Sequence, residues 1–186
     1  MVMPKLGVKN IIINWPAESK EIAEAIINKY GEPDEATPSM LIWYNNGPWN
    51  RTIVYRDTVE HNFPSPHRDR VEQFINYDVP IEKSCELAAF NGCITIYRTR
   101  GEISAYCHDE QANFLALNLA HDIIQDKKTF EKARKSYVDN MNAFRQNKPA
   151  PYMGKLNFPP QKDTADLDES IKTKQKLSKA RSEAGS

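Results

Sequence analysis

Four histidines are all that this chain of 186 residues contains, and they stand at positions 61, 67, 108 and 121. His61 and His67 share one proline-rich stretch, His61-Asn62-Phe63-Pro64-Ser65-Pro66-His67, with Asp69 two residues further on. His108 and Glu110 flank Asp109 at the start of a strongly apolar segment that also carries His121. A divalent transition metal needs three or four N, O or S ligands converging within about 2.0–2.3 Å of one point. His61, His67, Asp69, His108 and Glu110 are the candidate ligands, and a site built on them would belong to a small metal-dependent, hydrolytic enzyme. Their spacing matches no established signature such as HExxH. The competing reading keeps His61 and His67 as loop residues bonded to backbone and places His121 at the edge of the core.

A second set offers recognition rather than catalysis. Trp43, Tyr44, Trp49, Arg51, Tyr55 and Arg56 all fall on one stretch of about a dozen residues that reads as a β-hairpin. Exposed aromatics beside arginine favour partners or planar ligands, through stacking and the guanidinium fork. The alternative packs the tryptophans under helices and leaves the arginines at a sheet edge. On this evidence the leading expectation is a non-catalytic binding or accessory domain that uses the hairpin surface and no cofactor. The metal enzyme, with a divalent transition metal, is the alternative. A protein partner and self-association both fit the first reading.

The cysteines add less. Cys85, Cys93 and Cys107 are odd in number and form no CxxC pair, which argues against a disulfide framework and a zinc knuckle. Cys107 stands beside His108 at the start of a helix, a place that activates thiols. The strand pattern points it to an apolar face, so burial is expected instead. Reduced thiols imply a reducing compartment. The early apolar run, residues 11–13, is too short for a signal peptide, and no run approaches the roughly 20 apolar residues that span a bilayer. A cytoplasmic protein with no membrane role is therefore expected. Lys plus Arg and Asp plus Glu number 25 each, for a formal net charge of zero. Phosphate-dominated binding wants a basic excess, so nucleic acid is disfavoured. The seven glycines are spread singly and build no phosphate loop.

The elements that must position these groups can be read from periodicity. Residues 11–13 suggest a short strand. Pro16 suits a helix start, Ile22, Ala23, Ile26, Ile27 and Tyr30 form an apolar stripe, and Gly31 with Pro33 ends the helix. Two β-rich runs around Asn45-Asn46-Gly47-Pro48 make the first hairpin. Residues 57–69 read as irregular. Val71, Gln73, Ile75, Tyr77 and Val79 alternate as a strand that Pro80 ends, and a short helix follows over 81–90. A second hairpin turns at Arg100-Gly101, with Ile94 expected opposite Cys107 and Ile96 opposite Ala105. Residues 109–125 form the central buried helix, and residues 129–146 pair with it as a helical hairpin. The fold class is α+β: a mostly antiparallel sheet of about five strands, with helices on one face. One domain covers residues 1–148, and a proline-rich arm covers 149–160. A polar tail covers 161–186, too poor in apolar side chains to order itself. Its basic run, Lys172, Lys174, Lys176, Lys179 and Arg181, offers a weak polyanion contact at most.

Overall fold

The computed structural model describes residues 7–170. Their order is α1 (Val8–Ile12), α2 (Ala17–Tyr30), β1 (Glu35–Ala36), β2 (Met40–Asn46), β3 (Trp49–His61), β4 (His67–Asn76), α3 (Ser84–Phe90), β5 (Ile94–Tyr97), β6 (Glu102–Cys107), α4 (Glu110–Ile124) and α5 (Phe130–Arg145). The strands make one antiparallel sheet, β1-β2-β3-β4-β6-β5. The class is α+β as expected, with six strands rather than five. None of the described helices is long and apolar enough to cross a membrane. The basic run after residue 170 lies outside the described residues.

Register explains why the helices gather on one side. Leu41 pairs with Val54, Val54 with Val71, and Val71 with Cys107. Directly opposed residues share a face, so these four look the same way. Leu41, Val54 and Val71 pack with Ile12, Trp15, Ala23 and Ile26 from α1, α2 and the link between them. Cys107, Ala105 and Ile103 pack with Leu87 and Phe90 of α3, Leu115 and Leu119 of α4, and Tyr137 of α5. The opposite face carries Tyr44, Arg51, Tyr55, Glu72, Phe74, Ser104 and Tyr106 in paired positions.

Local chemistry sets the helix ends. α2 closes at Gly31, whose φ of 87° suits glycine and whose N–H donates to the Ile27 carbonyl at 2.8 Å. Asp109 caps α4 by accepting from the Ala112 N–H at 2.7 Å, and Thr129 caps α5 through the Lys132 N–H. Residues 11–13 do not form the expected strand. Val8, Ile11 and Ile12 stand at i, i+3 and i+4, and as a helical turn all three reach the cluster beneath β2 and β3.

Two further expectations shift. Residues 57–69 are not all irregular, because β3 runs on to His61 and β4 starts at His67, leaving only 62–66 as the connection. The second hairpin is paired two residues away from its expected register: Ile94 faces Ala105 and Ile96 faces Ile103. A 3-10 turn at Arg98–Arg100 followed by Gly101 takes up the difference. A shift of two preserves which face each side chain takes, so the expected burial of Cys107 holds.

The arm and the first residues of the expected tail are docked. Asn118 donates to the Tyr152 and Lys155 carbonyls at 2.9 and 2.7 Å, and its oxygen accepts from the Asn157 N–H. Phe158 stacks on His121 with ring centroids 4.2 Å apart. Further on, the Thr164 hydroxyl donates to the Gly101 carbonyl at 2.6 Å, and Arg98 pairs with Asp166 and Asp168. Gly101 has φ of 64°, and a Cβ there would lie 2.1 Å from the Thr164 carbonyl carbon. Only glycine lets the chain pass that close. The polar stripe of α4 is thus the seat of the arm.

Candidate metal centre

β3 and β4 deliver three ligand-type side chains to one place. His61 ends β3, His67 begins β4, and the two are direct partners across the strand pair. Asp69 is two residues along β4 from His67, on the same face by the strand period. One ligand atom from each of the three lies within 4.8 Å of the others. Asp69 is buried, with only 4% of its side chain exposed, whereas each histidine keeps 18%. The carboxylate therefore forms the floor and the imidazoles form the rim.

Hydrogen bonding orients the rings. His67 Nδ1 lies 2.7 Å from the Ser65 carbonyl, which can only accept, so Nδ1 carries the proton. In the neutral ring this leaves a lone pair on Nε2, the arrangement found in metal-bound histidines. That Nε2 is 3.0 Å from Asp69 Oδ1, yet this buried oxygen accepts no hydrogen bond. His61 Nδ1 meets the other oxygen, Oδ2, at 2.8 Å. Burial pushes the Asp69 carboxyl above its ordinary value, and the nearby His67 and His61 oppose that push. A positive ion between the rings would satisfy Oδ1 and remove the cost of a buried charge.

His108 stands against this group without joining it. Its ring is 5.0 Å from that of His67, and its Nε2 is 3.4 Å from Asp109 Oδ2. Its Nδ1 is buried with no hydrogen-bond partner. Burial holds the imidazole below its ordinary value.

Glu110, expected among the ligands, is elsewhere. Its Oε1 accepts from Tyr30 at 2.6 Å, Trp49 at 2.7 Å and Gln73 at 3.2 Å, while Oε2 pairs with Lys29. Burial raises its proton affinity, but those donors outweigh it and hold the carboxyl below its ordinary range. With three donors on Oε1 and the Lys29 ammonium on Oε2, this carboxylate is already neutralised and lies outside the His61–His67–Asp69 group. His108 precedes the Asp109 cap and Glu110 opens α4 two positions on, and side chains two apart at a helix start do not face each other.

No family model, no curated protein and no solved structure matches this chain.

The aromatic hairpin divides. Trp43 and Trp49 are 2% and 1% exposed, and both belong to the core. Trp43 donates to the Gly31 carbonyl at 2.8 Å. Tyr44, Arg51 and Tyr55 take the opposite face of the sheet. There Tyr44 bonds Glu35, and Arg51 stacks 3.8 Å above Phe74 while pairing with Glu102. Tyr55 donates to Glu72 at 2.9 Å. Arg56 folds back on Asp57. Pairing decides this in the middle of the hairpin, where Trp43 opposes Thr52 and Tyr44 opposes Arg51. Trp49 breaks the alternation at the turn end, lying two residues from Arg51 yet in the core against Phe114.

The Cys93–Cys107 contact, at 3.2 Å between sulfurs, had no signal in the spacing of the cysteines. It follows from strand pairing, which brings residue 93 opposite residue 106.

Proposed function

We propose that the chain binds a divalent transition metal through His61, His67 and Asp69, and that the centre serves hydrolysis. One observation carries this reading. The His67 ring, whose Nδ1 donates to the Ser65 carbonyl, brings Nε2 to 3.0 Å from a buried Asp69 oxygen that accepts no other hydrogen bond. Two imidazoles and a carboxylate are a ligand set of catalytic zinc and of non-haem iron, and both leave coordination positions open. When bound, such an ion supplies a polarised water nucleophilic near neutral pH. The histidine edges that reach solvent would give a substrate access. No cofactor beyond the ion is called for.

Elemental analysis of the purified chain, followed by titration with zinc and cobalt, tests the reading. We expect one metal per chain. His61→Ala, His67→Ala and Asp69→Ala should each weaken binding by more than the roughly 10–100-fold that supporting residues carry. Binding that is absent, or that survives all three substitutions, overturns it. A non-catalytic binding surface would then take its place. It would rest on Tyr44, Arg51 and Tyr55, because the tryptophans are core, with a protein partner or a second copy of the chain as its occupant.

A further inference from the structure

Two thiols outside the metal reading lie within reach of each other. Cys93 Sγ and Cys107 Sγ are 3.2 Å apart. That is shorter than the roughly 3.5–4.0 Å at which even carbon atoms pack. Both cysteines are buried, and Cys85 is exposed. The Tyr106 N–H donates to the Cys93 carbonyl at 2.9 Å, so Cys93 stands opposite Tyr106 and one step from Cys107. Strands about 4.8 Å apart and a step of about 3.4 Å along the chain put such α-carbons roughly 5.9 Å apart. A disulfide spans that distance without backbone movement. Cys93 sits in the turn that runs from Asn91 to Ile94, immediately before β5, and its side chain joins the same core cluster as Cys107.

We propose that Cys93 and Cys107 form a reversible dithiol–disulfide couple oxidised by a small hydroperoxide. The first encounter with the oxidant is assigned to Cys93, the less buried of the two residues at 5% exposed against 1% for Cys107. The Cys93 sulfur attacks the O–O bond of hydrogen peroxide, giving a sulfenic acid and releasing one water. The Cys107 sulfur then displaces the hydroxyl group, the S–S bond forms, and a second water leaves with the remaining thiol proton. Two electrons pass from the sulfur pair to the peroxide, which is reduced to water. The new bond ties the entry of edge strand β5 to the end of β6 and closes a loop across the hairpin, which constrains the unfolded chain. A thiol donor reverses the step by exchange.

The test uses the full chain carrying Cys85→Ser, which removes the exposed thiol. After hydrogen peroxide the protein is alkylated in denaturant, digested and weighed by mass spectrometry. The expected product is a Cys93–Cys107 cross-linked peptide pair lighter by two hydrogens, which dithiothreitol restores. The oxidised chain should melt several degrees higher than the reduced one. Adding Cys107→Ser should halt Cys93 at the sulfenic acid, detectable with dimedone. The proposal is overturned if both cysteines remain fully alkylatable after peroxide. It is equally overturned if Cys93 proceeds to the sulfinic acid while Cys107 stays a thiol. The Cys85→Ser chain alone decides between these results should the second substitution fail to fold.

Discussion

A backbone carbonyl, not the neighbouring carboxylate, takes the Nδ1 proton of His67, whereas His121 meets a hydroxyl, which can donate or accept. There Nδ1 meets the Tyr77 hydroxyl at 2.8 Å, and the ring lies flat against Phe158 of the arm. Burial lowers the proton affinity of His121, Lys127 lowers it further, and Asp122 works the other way. The unfolded value is therefore the higher one, and between the two values the unfolded chain binds more protons. Stability rises with pH across that window. His121 thus contributes stability that is present above about 6.5 and is lost as pH falls through its lower folded value. Thermal melts from pH 8 to 5 should show this slope, and His121→Gln should flatten it. An unchanged slope would remove His121 from the account. The residues of the proposed metal site stand out in the sequence by type, as His61, His67 and Asp69. Their convergence does not. It depends on residues 57–61 continuing as a strand, and Asp57, Thr58 and Glu60 are polar on both faces, so the alternation that marks a half-buried strand is missing.

The helices after α1 and the first hairpin were readable because their signals are local: a stripe, a cap, a turn. α1, a five-residue helix with no side-chain cap, reads instead as a strand. Asp109 and Gly31 act within one turn of where they stand. The second hairpin shows the limit of such reading. Alternation determined which face Ile94, Ile96 and Cys107 would take, but the partner of each depends on turn length, which the apolar pattern does not encode. Glu110 and the tryptophans failed for a related reason. Whether a tryptophan is core or surface depends on which hairpin face the helices cover, and that is a long-range fact. The clearest consequence at this scale concerns α4. Leu117 is 1% exposed, and α4 packs on α5, α3 and the sheet. Leu117→Ala should lower the unfolding free energy by about 2–5 kcal/mol, through lost burial and an unfilled cavity. Urea denaturation measures it, and a change within about 0.5 kcal/mol would place Leu117 at the surface.

The molecule as a whole has two apolar clusters, one beneath α1 and α2 and one beneath α3, α4 and α5. Glu110 joins them. Its oxygens hold Lys29 and Tyr30 of α2, Trp49 of β3 and Gln73 of β4, and Glu110 itself begins α4. Opening either cluster alone would strip donors from a buried carboxylate, at a cost of roughly 1–3 kcal/mol for each group left unpaired, and more for a charged one. The two halves should therefore open together. In native-state hydrogen exchange, the slowest amides of α2 and α4 are expected to share one opening free energy. Glu110→Gln should uncouple them, letting α2 exchange by a smaller, local opening while α4 keeps its protection. Slow amides of α2 that already exchange more easily than those of α4 in the unaltered chain would show that the halves are independent. Where α2 and α4 do share one opening free energy, a single carboxylate helps make the two halves one cooperative unit, and damage at the far edge of α2 is felt as lost protection beneath α4.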